Sequence, residues 1–188
     1  MVCEVNVSPM TQIDRDSTYT TRGGEHIDLL NISAAGISIA DIAGALSKLC
    51  RWGGHPRRFY SIAEHSVHVS HVVSPPAARW ALLHDAPEAY VHDIVRPLKR
   101  IIAPLYSPIE ERFMARIAEQ YDLGPFPEEV KAADNAVLEA ERDQLMPPES
   151  RRDIYMSPRP QPANITVQCW LPEQAEYEFL KRFWELVT

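Results

Sequence analysis

Apolar residues recur at helical spacing along most of this chain. Ile39, Ile42, Ala43, Leu46, Leu49 and Cys50 make one stripe, opened by Ser38 as a cap with Asp41 three residues on, and closed by Gly53-Gly54. Ser61 caps a second helix, with Glu64 at the capping-box position and Ile62, Val69, Val72 and Val73 as its stripe. Ser74-Pro75-Pro76 stops it. A third helix runs from Pro76 or Ala77 through Trp80, Leu82, Leu83 and Ala86 towards Tyr90. Pro97 and Pro104 frame a short helical turn, and Ser107-Pro108 starts a helix through Phe113, Ile117 and Tyr121. Pro127 opens another through Val130, Ala133, Val137, Leu138 and Leu145, and Pro147-Pro148 ends it. A last amphipathic helix runs from Pro172 through Ala175, Phe179, Leu180 and Phe183.

Two segments carry a different pattern. Ser17 to Leu30 has β-tolerant runs on either side of Gly23-Gly24, which predicts a hairpin. Asn164 to Trp170 alternates Ile165, Val167 and Cys169 with Thr166 and Gln168, which predicts a strand able to pair with that hairpin. Residues 1–16 have no period and read as an N-terminal arm, and 147–163, rich in Pro and Arg, reads as a loop. The expected architecture is all-α, one domain over 17–188, with a strand and helix in 164–187 and a small β ribbon from the N- and C-terminal segments.

Composition narrows the function classes. The 188 residues suit one domain, and the net charge of −7 argues against a protein that coats nucleic-acid polymers. No apolar run is long enough to span a bilayer, so no membrane partner is expected. Cys3, Cys50 and Cys169 are far apart and odd in number, which supports neither a disulfide framework nor a cysteine zinc site. The first ten residues lack a basic, apolar leader, so a reducing cytoplasm is the expected location. Charge is unevenly placed. Residues 42–63 hold no acid but Lys48, Arg51, Arg57 and Arg58; residues 94–109 hold no acid but Arg96, Lys99 and Arg100. Two basic stretches around an acidic, histidine-rich middle suit one small anion.

That middle carries the candidate chemistry. His65, His68, His71 and His84 follow one another closely, and His92 comes soon after. His84, Asp85 and Glu88 share a side of a helix, because Glu88 lies one turn from both. Histidine and carboxylate together suit a divalent ion, and a further carboxylate one turn away can handle a proton. His65 from the preceding helix is a third ligand candidate. Asp134, a charge on the small, apolar Ala132-Ala133-Asp134-Asn135-Ala136-Val137 face, is the fourth, since a buried carboxylate needs a partner.

These strings resemble the HD-domain metal-dependent phosphohydrolases, whose pattern H…HD…D corresponds to His65, His84-Asp85 and Asp134. The resemblance is closest to the 5′-deoxynucleotidase and dNTP-hydrolase branch. There an Arg-Trp pair precedes the first ligand, a Glu follows HD by three, and an Asp lies five further on; here these are Arg51-Trp52, Glu88 and Asp93. It is densest over residues 51–141. It implies a helical bundle holding one divalent metal ion on His65, His84, Asp85 and Asp134. Mn, Fe, Co, Ni or Zn suits this mixed donor set better than Mg. It further implies catalytic duty for Glu88 as proton shuttle or general base, with Asp93 beside it. Arg51 and Lys99 would hold phosphate, and Trp52 and Asp93 would line sugar and base.

The expected activity is cleavage of a phosphate ester or anhydride of a (deoxy)nucleotide by metal-activated water. The partner is then a small nucleotide, and the resemblance is compatible with a homodimer. Two rivals are weighed. Alarmone pyrophosphohydrolases of the same fold carry a Glu-Asp pair shortly after HD, where this chain has Glu88-Ala89. A non-catalytic nucleotide-sensing module would not need every catalytic position filled by a competent residue.

Overall fold

The computed structural model describes residues 17–33, 36–148 and 159–188. The arm at 1–16 and most of the Pro- and Arg-rich loop lie outside the described residues. The architecture is mostly helical with one small two-stranded sheet. Strands β1 (Thr18–Thr20) and β2 (His26–Asp28) pair antiparallel, with Tyr19 opposite Ile27. The turn between them passes through Gly24 at φ 89°. Ile27 is the hairpin's anchor in the core.

Helix α1 (Ile39–Leu46) is capped by Ser38, whose hydroxyl accepts from the Asp41 N–H. Asp41 does not close a reciprocal capping box. Its carboxylate accepts from the Thr21 hydroxyl at 2.8 Å and the Gly23 N–H at 2.7 Å, which docks the hairpin on α1. A side chain at Gly23 would meet that carboxylate at 2.9 Å, so the contact needs glycine. The helix ends earlier than its apolar stripe predicts. Cys50 pairs with Ser61 across an isolated antiparallel bridge, and the Arg51 N–H donates to the Tyr60 carbonyl. The chain between them is pinched into a loop that begins with a tight turn, Arg51–Gly54, in which Trp52 and Gly53 take left-handed φ.

Helix α2 (Ile62–Val72) lies at the centre of the fold, packed against α3 (Ala78–Leu83), α6 (Glu128–Leu145) and α7 (Pro172–Val187). The helix expected to run on to Tyr90 is broken after Leu83. Pro87 has no N–H to bond the Leu83 carbonyl, so the chain tightens: Ala86 N–H donates to Leu83 and Glu88 N–H to Asp85. Helix α4 (Glu88–Val91) follows that turn. In the next segment the sequence predicts a break and the structure has none. Helix α5 (Arg96–Gln120) is continuous through Pro104 and Pro108. Both prolines are exposed, so the carbonyls they leave unbonded on that side face solvent, where the helix tolerates them.

The core joins Ile42, Leu46, Ile62, Leu82, Leu83, Phe113, Ile117, Phe179 and Phe183. A second cluster of Val69, Trp80, Ala81, Val130, Ala133 and Val137 glues α2, α3 and α6 together. The predicted strand over Asn164 to Trp170 does not form, and the ribbon has no C-terminal member. The alternation is real, since Ile165, Val167 and Cys169 turn inward while Thr166 and Gln168 face solvent. The Ile165 N–H, however, turns back to the Ala163 carbonyl, and the backbone donors from Val167 to Trp170 go to side chains. Val167 N–H donates to Gln144, and the Gln168, Cys169 and Trp170 N–H groups donate to the Glu64 carboxylate at 2.7–3.0 Å. Among the described residues no helix is long and apolar enough to cross a membrane.

Candidate metal centre

Four side chains separated by up to 69 positions meet at the inner ends of α2, α3 and α6. His65 comes from the first turn of α2, where the Ser61 cap starts the helix. His84 and Asp85 come from the tightened turn after α3, and Asp134 comes from the inward face of α6. One ligand atom from each of His65, His84 and Asp134 lies within 4.8 Å of the others. His65 Nε2 is 3.1 Å from Asp134 Oδ1 and 3.6 Å from Asp85 Oδ2; His84 Nε2 is 3.2 Å from Asp85 Oδ2.

The far nitrogen of each imidazole is committed. His65 Nδ1 lies 2.5 Å from Glu141 Oε1, and His84 Nδ1 lies 2.7 Å from the Ala81 carbonyl. Both are acceptors only, so Nδ1 carries the hydrogen in each ring and Nε2 presents its lone pair inward. Both Nε2 atoms are buried and make no hydrogen bond among the described residues. Two such nitrogens facing shared carboxylates fit a divalent cation. Without an ion, protons take its place electrostatically. Burial and Arg51 push the His65 imidazole down, but Glu141 and Asp134 more than reverse this and lift it to about 9. Burial would raise Asp85, yet His84, His65 and Arg51 hold it well below the usual carboxylate range.

Beside the cluster opens a cavity of about 410 Å³. Arg51, Asp85, Glu88, Asp93, Lys99 and Asp134 line its polar part, and Trp52, Ile94, Val95 and Leu138 its apolar part. Every sequence-predicted site residue except the two buried imidazoles therefore reaches this wall. Glu88 is nearly buried, with Oε2 lacking a hydrogen-bond partner among the described residues. Burial and the neighbouring Asp85 and Asp93 charges push its carboxyl well above the usual range. Burial also raises Asp93, with Asp85 adding to the effect. Lys99 lies on the wall but its Nζ is 2.6 Å from Glu110, so it reaches an anion only by sharing that partner. Trp52 is held at φ 58°, a left-handed conformation costly for a side chain this large, and its buried Nε1 lacks a partner among the described residues.

The basic stretches divide. Arg51 and Arg96 line the cavity with Lys99. Arg57 is a structural tie, donating to the Leu145 and Gln144 carbonyls, and Lys48 donates to the Gly44 carbonyl. His68 stacks on Trp170 with ring centroids 6.0 Å apart, and His26, His55 and His92 are exposed and belong neither to the cluster nor to the cavity lining.

Three residues at the site escape the sequence reading. Glu141 is fully buried against His65, Tyr60 and Arg51. Tyr60, equally buried, donates its hydroxyl to Glu141 at 2.8 Å. Arg142 stacks its guanidinium on the Trp52 ring at 5.2 Å, bonds Glu139, and lines the cavity. A signal for two of them exists. Asp134, Leu138, Glu141 and Arg142 repeat at helical spacing, so one face of α6 carries a ligand and charges deep in an otherwise apolar pattern.

Comparison with known proteins places the chain among relatives. It is 44% identical over 130 residues to the uncharacterized protein YfdR of Escherichia coli K12, covering 69% of this chain and 72% of that protein. The chain belongs to the YfdR family. A second similar protein, the uncharacterized RCAP_rcc00048 of Rhodobacter capsulatus, is 33% identical over 136 residues, covering 65% of this chain and 69% of that protein. No protein-family model matches the chain. Neither relative's name states an activity, so the chemistry rests on the site.

Proposed function

We propose that this member of the YfdR family is a cytoplasmic metal-dependent phosphohydrolase that cleaves a phosphate ester or anhydride of a (deoxy)nucleotide. One observation carries the reading. Two imidazoles with inward lone pairs and a carboxylate cluster within 4.8 Å, beside a cavity lined by Arg51, Lys99, Arg142 and Trp52. The order and spacing of the same residues resemble the HD-domain phosphohydrolases, which supports the same reaction class. Free thiols at Cys50 and Cys169 suit a reducing compartment.

His65, His84 and Asp134, with Asp85, would hold one divalent cation, and their mixed donors suit Mn, Fe, Co, Ni or Zn better than Mg. Such an ion supplies Lewis acidity to a phosphoryl oxygen and to water. The chain's own residues do the rest. Arg51 spends Nε on Glu141 and Nη1 on Asp85, which leaves further N–H donors for a phosphate oxygen. Arg142 and Lys99 add positive charge to the same cavity. Glu88, whose proton affinity is raised by burial and by Asp85 and Asp93, takes a proton from the attacking water and passes it to the leaving oxygen, which returns Glu88 to its starting state. Trp52 offers a ring face to the base and its unpartnered Nε1 hydrogen to an acceptor.

The test is product analysis after metal-loaded protein meets nucleoside mono-, di- and triphosphates. Release of phosphate, pyrophosphate or triphosphate identifies the bond cut. Binding without turnover across the panel overturns hydrolysis in favour of a sensing module. Asp85→Ala is expected to abolish both metal retention and hydrolysis, read by metal analysis of the purified protein and the same product assay.

A further inference from the structure

Glu141 is a fully enclosed carboxylate whose donors are all side chains of the site. Oε1 lies 2.5 Å from His65 Nδ1 and accepts from the Tyr60 hydroxyl at 2.8 Å; Oε2 accepts from Arg51 Nε at 3.3 Å. His65 faces the candidate cation position with its other nitrogen, and Arg51 reaches on to Asp85 at 3.4 Å with Nη1. The two branches leave the same carboxylate and arrive at the same cluster.

We infer that Glu141 is a positioning residue that holds His65 as an Nε2 ligand and aims Arg51 at the anion side, so one buried carboxylate sets both halves of the centre. This rests on reading the cluster as a cation site. The physical reason lies in the imidazole. A ring hydrogen-bonded only through Nδ1 presents its lone pair at Nε2; with no acceptor behind it, the ring can turn or take the other tautomer. The same acceptor limits the guanidinium. Arg51 has five N–H donors on a planar group, and fixing Nε fixes the direction of the remaining ones. A carboxylate serving stability alone has no need of donors whose opposite ends both enter the site. Tyr60 is the internal control, since its hydroxyl bonds Glu141 and, among the described residues, its side chain has no hydrogen bond or ion pair to His65, His84, Asp85 or Asp134.

The experiment uses the full chain, with Co²⁺ alone as the cation probe and inorganic phosphate as the anion probe. Glu141→Gln keeps the volume and one carbonyl oxygen. It is expected to bind Co²⁺ roughly 10- to 100-fold more weakly than wild type. At saturating Co²⁺ it is also expected to bind phosphate more weakly. Tyr60→Phe is expected to leave Co²⁺ affinity unchanged within about threefold, well inside the loss that a ligand-orienting partner causes. Should Glu141→Gln fail to fold, ¹¹³Cd NMR of the wild type supplies an independent reading. Coupling of cadmium through His65 Nε2 supports the proposal, and coupling through Nδ1 overturns it. A loss of Co²⁺ affinity below tenfold in folded Glu141→Gln overturns it too, and unchanged phosphate affinity overturns the Arg51 half. Wild type that binds no Co²⁺ overturns the cation site itself, a distinct failure.

Discussion

Glu64 and Glu141 are both carboxylates with no exposed surface, and each is satisfied by three donors. The donors differ in kind. Around Glu64 they are consecutive backbone N–H groups of Gln168, Cys169 and Trp170, with Cys169 in a left-handed conformation at φ 58°, so the peptides curl into an anion-binding nest. Around Glu141 they are an imidazole, a phenol and a guanidinium. One carboxylate clasps the segment before α7 to α2; the other aims side chains at a reactive centre. Equal burial thus serves two ends, and what separates them is whether the donors themselves can do chemistry. His65 follows Glu64 in sequence, so α2 carries the clasp and the ligand on adjacent residues.

The comparison can be broken by substitution. Glu64→Ala has the largest expected effect on stability. It strands three N–H groups, and with each costing about 1–3 kcal/mol the loss is at least about 3 kcal/mol. Chemical denaturation measures it, and Co²⁺ affinity of the folded variant is expected to hold within about threefold, unlike the loss from a displaced ligand partner. A large loss of Co²⁺ affinity with little loss of stability would put Glu64 in the same role as Glu141. Arg142→Ala sharpens the view from the cavity side. It removes the cation stacked on Trp52 and is expected to weaken phosphate binding by about 1.5–3 kcal/mol, the range of hydrogen bonds to charged groups, with Co²⁺ affinity kept.

Acidity supplies a smaller, graded test. In the metal-free protein His65 is lifted to about 9, above its ordinary value near 6.5. The folded state therefore binds this proton more tightly than the unfolded chain. The resulting stability is complete below about 6.5 and is lost as pH rises through about 9. A cation must displace that proton, so Co²⁺ affinity is expected to rise across the same window, at most about tenfold per pH unit for one proton. Titration calorimetry in buffers of different ionisation enthalpy counts the protons released. Affinity flat over that window would separate His65 from the cation.

Helical spacing and turn residues made much of this legible. Ser38 and Ser61 cap the helices they predict, and Phe113, Ile117, Phe179 and Phe183 all enter the core rather than an outer face. His65, His84-Asp85 and Asp134 stood out because a histidine-carboxylate pair and a lone acid on a small-residue face call for a partner. The misses share a cause. Capping-box acids Asp41 and Glu64 bond distant backbone instead of their own helix starts. The alternation at Asn164 to Trp170 encodes which side chains turn inward, not what accepts the backbone hydrogens. Pro104 and Pro108 predict a break, but their exposed side of α5 lets water take the freed carbonyls.

Local pattern alone determined that the chain is helical, where most helices begin, and which residue types are fit to hold a cation and an anion. Periodicity and capping act within a few residues, so they can be read without knowing the fold. Only the tertiary structure decided that α2, α3 and α6 bring those residues to within bonding distance of one another. It also decided that Glu141 stands behind His65 rather than Glu64, its sequence neighbour. The contacts of a buried carboxylate depend on which donors the packing delivers, and these come from segments 76 to 106 positions apart.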